Sequence, residues 1–395
     1  MIIRPRVRGF ICTTAHPLGC AANVQAQIAR VRAAGRISPP LKNVLVIGAS
    51  GGYGLASRIC AAYAGGASTL GVSLEKEPRA NKLGSAGWYN TLAFEDAARR
   101  DGLSAQSWNM DAFSDAAREE IIAAVHARGE PLDMVVYSLA SPVRRDPHTG
   151  ALWRSAIKPL HKPLHTRSLD VDNARVLDDV VLEPASSDDT AATVKVMGGE
   201  DWELWMDALL EAKVLSTGCR TLAYTYIGSE LTWPIYWHGT LGKAKEDLDR
   251  AALAIRGRLA VLGGDARVTV LQAVVTQSSA AIPVVPLYVS LLFRVLKDLG
   301  LHEGPTAQIE RLFRSRLDGD DRHLDEKGRI RMDEIELRSD VQERIKTLWP
   351  RITTENLLEK TDFAEFRASF LQIFGFGVAG IDYEQEVTPD WRPAP

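Results

Sequence analysis

The sequence predicts an α/β fold organised around a doubly wound parallel sheet. Three features carry that expectation: an apolar run ending in a glycine-rich turn at residues 43–54, further apolar runs along the chain, and helical periodicity between most of them. Strands separated by helices are too far apart in sequence for tight hairpins, so they align in parallel with helices covering both faces.

Taken in order, "NVLVIGASGGYGLASRICAAYAGGASTLGVSLEKEP" from Asn43 reads strand, turn, helix, strand, which is one βαβ unit. Further strands are expected over residues 103–111, 132–140, 219–228 and 267–276, with helices over 113–128 and 241–262. This core, about residues 41–277, carries three additions at about 1–40, 143–199 and 278–395. The middle addition is polar, and its "PASSDDTAATVK" portion predicts short strands and turns. The last holds several helices and a charged stretch, "RLDGDDRHLDEKGRIRMDEIEL". Its carboxylates lack the glycine and glutamate offsets of a calcium loop, so a solvated turn or hairpin is expected. No repeat or low-complexity linker separates the pieces, which predicts one elaborated domain over residues 1–395 rather than two.

Composition narrows the function classes. Of 395 residues 46% are apolar, enough for a large core, and 47 basic residues nearly balance 50 acidic ones. Without a basic block or a basic-aromatic stripe, nucleic acid is not an expected partner. The four cysteines, Cys12, Cys20, Cys60 and Cys219, show no CxxC or zinc spacing, which suits reduced, buried thiols in the cytoplasm and no metal site. The opening "MIIRPRVRGFICTTAHPLGC" interleaves arginines with a very short apolar run and lacks the apolar stretch of a signal peptide. "AAIPVVPLYVSLLFRVLK", residues 280–297, contains two prolines and Arg294 and is too short to span a bilayer comfortably. It reads as a buried or ligand-facing helix.

The turn "GASGGYG" places Gly48, Gly52 and Gly54 between a strand and a helix. Residues without a Cβ there let the backbone turn tightly and approach a pyrophosphate at a helix N-terminus, the Rossmann arrangement. Glu75 closes the second strand, about twenty residues past the last glycine, where an acid accepts hydrogen bonds from the adenosine ribose and repels a 2′-phosphate. NADH is therefore expected over NADPH. Asp111 ends the third strand at the depth of the adenine, and "SLA", residues 138–140, ends the fourth near the nicotinamide ribose. Either could simply cap a turn.

"YTYIGSELTWPIYWHGTLGKAK" raises the question of which tyrosine and which lysine act. In reductases of this architecture a tyrosine hydroxyl sits on the substrate carbonyl, and a lysine binds the nicotinamide ribose while lowering the phenol pKa by its charge. No YxxxK spacing exists here: Gly228, Glu230 and Thr240 stand four residues after Tyr224, Tyr226 and Tyr236. Tyr236 is followed instead by Lys243 and Lys245. On a helix from Leu241, the recurrence of Ala244, Leu248, Ala251 and Ile255 defines a buried stripe. At about 100° per residue Lys245 lies roughly 70° from that stripe and Lys243 roughly 130°, so Lys245 is favoured as the ribose ligand. Tyr224 and Tyr226 share one face of their strand, so alternation does not choose between them. His238 is a rival proton source, though a lone loop histidine is more often a surface residue.

These residues carry a resemblance. "YIGSELTWPIYWHGTLGKAK", "GASGGYG", "YSLASPVR" and "MIIRPRVRGFIC" together resemble the FabV type of trans-2-enoyl-CoA and enoyl-acyl-carrier-protein reductases, and the likeness covers essentially the whole chain. It implies NADH-dependent reduction of the carbon-carbon double bond of an enoyl thioester on acyl-carrier protein or CoA, closing a fatty-acid elongation cycle, by a cytoplasmic monomer. It carries a catalytic Tyr-x8-Lys pair onto Tyr236 and Lys245, with Tyr226 contacting substrate. For the dinucleotide it implies Gly48, Ala49, Ser50, Gly51, Gly52 and Tyr53 in the turn. Leu74, Glu75, Asp111 and Ala112 follow at the next two strand ends, then Leu139, Ala140, Val274, Val275 and Thr276.

Residues 282–297, apolar nearly all round, follow the strand expected to end at Thr276, at the end of the sheet where ligands bind. Ile282, Val285 and Tyr288 are therefore expected to border an acyl chain, with ordinary core packing as the competing reading. Two other functions compete: a ketoreductase or alcohol dehydrogenase on the same fold, and a non-catalytic dinucleotide sensor. Such ketoreductases usually carry a serine where Tyr226 stands, which favours the enoyl substrate.

Overall fold

Every residue of Asn43–Ile47 is buried, as a strand must be when both of its faces are covered by helices. This strand, β1, lies at the centre of a seven-stranded sheet in the computed structural model, which describes residues 1–280, 282–317 and 323–393. The others are β2 (Ser68–Ser73), β3 (Ala105–Asn109), β4 (Leu132–Tyr137), β5 (Leu215–Thr225), β6 (Asp265–Val270) and β7 (Ile330–Arg331). Their spatial order is 3-2-1-4-5-6-7, and every pairing is parallel. The order reverses direction between β1 and β4, which opens a crevice at the carboxyl ends of those strands. The expected doubly wound α/β class is the observed one, and the strand over 103–111 is shorter because Asp111 Oδ1 accepts from Phe113 N at 3.0 Å and turns the chain.

Helices cover both faces. α1 (Pro17–Ala33), α2 (Gly52–Tyr63) and α3 (Asp115–Arg128) precede a helix the sequence reading missed, α4 (Ser187–Met197). "PASSDDTAATVK" is thus corrected from strands and turns to a helix. The signal is a capping box: Ser186 Oγ accepts from Asp189 N at 3.0 Å, and Asp189 Oδ2 accepts from Ser186 N at 3.1 Å. α5 (Trp233–Tyr236) is one turn with Pro234 near its start, followed by α6 (Thr240–Leu259) and α7 (Val285–Asp298). α7 begins at Val285, with Pro286 in its first turn, where a missing N–H costs nothing. Ala281, within the apolar segment, and residues 318–322 of the charged stretch lie outside the described residues.

The charged stretch is the second correction. It is not a solvated turn: Ile330 and Met332 are buried, Ile330 pairs with Thr269 to extend the sheet, and Asp333 and Glu336 are enclosed as well. Alternating apolar residues in "IRMDEIEL" supply the burial that its charge density conceals. One apolar cluster joins the additions across the carboxyl ends of the strands, taking in Ile3, Leu169, Tyr236, Tyr288 and Phe363. No helix among the described residues is long and apolar enough to cross a membrane.

Candidate active site

Two adjoining cavities occupy the crevice. The first, about 440 Å³, is lined by Gly48, Ser50, Gly51, Leu74, Glu75, Asp111, Ala112 and residues 138–141. The second, about 190 Å³ and mostly apolar, is lined by Tyr53, Tyr226, Tyr236, Val274, Thr276 and Val285. They share Ser138, Leu139 and Ala140, so one ligand can run from the first into the second.

The glycines fit a dinucleotide. Gly48 has φ +84°, and a Cβ there would stand 2.4 Å from Ser138 O; one at Gly54 would stand 1.9 Å from Gly48 O. These two close the turn against protein. Gly51 instead faces open space and precedes α2 without any side-chain cap, leaving first-turn N–H groups for an anion. Glu75 accepts from Ser50 Oγ and Ser85 Oγ, both at 2.5 Å, which holds its carboxylate at the rim. Ala112 is anchored by Trp205 Nε1, which donates to its carbonyl at 2.9 Å. Ala49, Gly52 and Val275 belong to the same turns without lining either cavity.

Hydroxyl partners separate the tyrosines. Tyr224 lies 2.7 Å from Ser57 Oγ, and Tyr226 donates to Glu336 Oε1 at 2.8 Å. Tyr53 Oη lies 2.8 Å from Gln272 O and 2.7 Å from Gln308 Oε1, so only its ring serves the crevice. Tyr236 Oη has no hydrogen-bond partner among the described residues, while its ring meets that of Tyr226 edge-on at 4.9 Å. Its proton is uncommitted and faces the cavity. Burial, and then the charge of Glu336, raise the Tyr236 phenol above its ordinary value. The lowering expected from the lysine charge is thus outweighed, and the hydroxyl stays protonated.

Lys245 is half-buried, its Nζ 5.9 Å from the Tyr236 ring centre and donating to Thr225 Oγ1 at 2.9 Å. Burial lowers its pKa to about 8, against the opposing charge of Asp249. Lys243 is exposed and pairs with Glu246 at 2.8 Å. α6 buries Ala244, Leu248, Ala251 and Ile255, the stripe from which the two lysines were told apart. His238 is exposed and lines neither cavity. Of the three acyl-pocket candidates Val285 lines the second cavity, whereas Ile282 and Tyr288 are buried behind it. Tyr288 Oη donates to Glu336 Oε1 at 2.9 Å. Glu336 itself was absent from the sequence-derived site; its flanking Ile335 and Leu337 were the available signal.

Comparison with known proteins supplies the family. Residues 82–318 match the model of the trans-2-enoyl-CoA reductase catalytic region, and residues 2–80 match that of the NAD(P)H binding domain of trans-2-enoyl-CoA reductase. The chain belongs to this family. Residues 324–387 match a third model, the enoyl reductase FAD binding domain. The chain is 55% identical over 390 residues to the enoyl-[acyl-carrier-protein] reductase [NADH] FabV of Aeromonas salmonicida, covering 99% of this chain and 98% of that one. It is 54% identical to an enoyl-[acyl-carrier-protein] reductase [NADH] of Xanthomonas oryzae, over 99% of this chain and 98% of that one. The crystal structure of Treponema denticola trans-2-enoyl-CoA reductase with NAD superposes with a TM-score of 0.94 at 45% identity, over 98% of both chains.

The enoyl reductase's glycine turn in the third matched segment does not fit a flavin. A Cβ at Gly375 of "GFGVAG" would stand 2.5 Å from both Cys20 N and His16 O, so the turn is packed against α1. No step is derived through FAD.

Proposed function

We propose that the chain reduces the double bond of trans-2-enoyl thioesters with NADH, and that Tyr236 and Lys245 carry the reaction. The observation that carries this reading is the uncommitted Tyr236 hydroxyl at the junction of the two cavities. NADH, when bound, supplies a hydride to the β-carbon of the conjugated thioester. Negative charge then develops on the thioester oxygen, and Tyr236 Oη donates to it, stabilising the enolate. Lys245 holds the nicotinamide ribose from the half-buried side of α6. Tyr226 is a second substrate contact, and a proton taken up at the α-carbon completes the reduction. The thioester is carried by acyl-carrier protein or CoA.

NADH oxidation followed by absorbance with crotonyl-CoA, with an acetoacetyl thioester and without substrate tests this. Turnover with crotonyl-CoA alone is the expected result. Preferential turnover of the acetoacetyl thioester would instead support a ketoreductase.

Glu75 is the proposed discriminator against NADPH. Glu75→Gln raises the NADPH-to-NADH ratio of kcat/KM on the order of tenfold, roughly 1.4 kcal/mol, by removing repulsion of a 2′-phosphate. An unchanged ratio assigns discrimination elsewhere. At the other end, Val285→Ala changes kcat/KM several-fold more for dodecenoyl-CoA than for crotonyl-CoA. Equal losses that follow a lowered melting temperature would make Val285 a packing residue only.

A further inference from the structure

Glu336 has no role in the mechanism above, yet its carboxylate is fully buried beside the reacting end of the crevice. Oε1 accepts from Tyr226 Oη at 2.8 Å and from Tyr288 Oη at 2.9 Å, and Oε2 accepts from Ala273 N at 2.7 Å. Gln342 Nε2 donates to the Glu336 carbonyl at 2.6 Å and to Tyr288 Oη at 3.3 Å. No cation is hydrogen-bonded to the carboxylate among the described residues. The titratable groups facing it are Tyr53, Tyr226, Tyr236 and Tyr288, all raised by burial and so protonated. Asp333, on its own segment, is paired with Arg331 at 2.6 Å.

Three donors satisfy an ionised carboxylate. A protonated one has a hydrogen to give, so a phenol at Oε1 can turn from donor to acceptor and release its own. Tyr288 is enclosed and already receives Gln342. Tyr226 lines the cavity beside Tyr236, so its released hydrogen has space to enter.

We propose that Glu336 is a positioning residue: its protonation decides whether Tyr226 gives its hydrogen bond to the protein or to the substrate thioester. The proposal rests on the enoyl-thioester reading. With Glu336 ionised, Tyr226 is held to it and Tyr236 alone meets the developing charge. With Glu336 neutral, a second donor joins it. Burial raises the carboxyl to about 7, with the charge of Asp333 adding to the effect, so both states are populated near neutrality.

At saturating NADH, wild-type kcat should fall as pH rises through about 7, to a plateau on the order of tenfold lower, as expected for the loss of one donor to an oxyanion. Glu336→Gln is neutral at every pH and should lose this step. Tyr226→Phe keeps the carboxylate and should lose it too, and adding Glu336→Gln to Tyr226→Phe should change kcat by no more than about twofold. Additive losses, or a step retained in Tyr226→Phe, overturn the proposal.

Infrared difference titration gives a readout without turnover. The carbonyl band of a protonated carboxyl should appear below neutral pH, vanish in Glu336→Gln and shift in Tyr226→Phe. A band indifferent to Tyr226→Phe overturns the proposal. Failure of wild type to reduce crotonyl-CoA overturns the substrate reading instead, and the infrared result still decides the coupling.

Discussion

Tyr236→Phe should lower kcat for enoyl-thioester reduction on the order of a thousandfold, about 4 kcal/mol of transition-state stabilisation, while leaving NADH affinity within about twofold. The ring stays and keeps its edge contact with Tyr226, so packing is conserved and only the oxygen is lost. That hydroxyl has no hydrogen-bond partner among the described residues, so its removal orphans no buried group and should barely change the melting temperature. The corresponding changes at Tyr224 and Tyr226 differ in kind, because each removes a hydroxyl bonded to the protein. Single-turnover kinetics with NADH titration checks the split. Loss of cofactor affinity equal to the loss of rate would place Tyr236 in the cofactor site rather than on the substrate.

The central strands were legible because burial on both faces leaves an uninterrupted apolar run, as at Asn43–Ile47. The glycine turn was legible for a steric reason, since Gly48 and Gly54 stand where any Cβ would collide with backbone. Choosing between Lys243 and Lys245 needed only the angular position of each around α6, a local property. The tyrosines were a different matter. Tyr224 and Tyr226 leave their strand on the same face, and what separates them is a partner distant in sequence: Ser57 for one, Glu336 for the other. Glu336 was invisible for the same reason. A carboxylate in a charge-dense stretch reads as solvated until the fold brings Tyr226, Tyr288 and Ala273 N around it. The capping box of α4 was present in the sequence, but Asp189 stood where Glu or Gln is the familiar residue.

Lys245→Met should lower kcat/KM on the order of a hundredfold and weaken NADH binding about tenfold, whereas Lys243→Met should change neither by more than about twofold. The contrast follows from position. Lys243 is exposed and engaged with Glu246, a surface pair worth little, while Lys245 Nζ reaches Thr225 Oγ1 beneath the junction of the two cavities. Burial has lowered the Lys245 pKa from 10.5 to about 8, so the ammonium is charged at pH 7 and is lost as pH rises through that value. Wild-type NADH affinity should therefore fall above about pH 8, and Lys245→Met should abolish that dependence. The sign for stability is opposite. Between about 8 and 10.5 the unfolded chain keeps a proton that the folded chain has released, so this group makes stability rise with pH across that window. Below it, the folded chain bears an enclosed charge that methionine would not. Lys245→Met should accordingly melt higher than wild type at pH 7 in the absence of cofactor, even as it loses activity. A variant that is both inactive and less stable would mean that Lys245 supports the fold through Thr225, and the ribose contact would have to be sought elsewhere in the crevice.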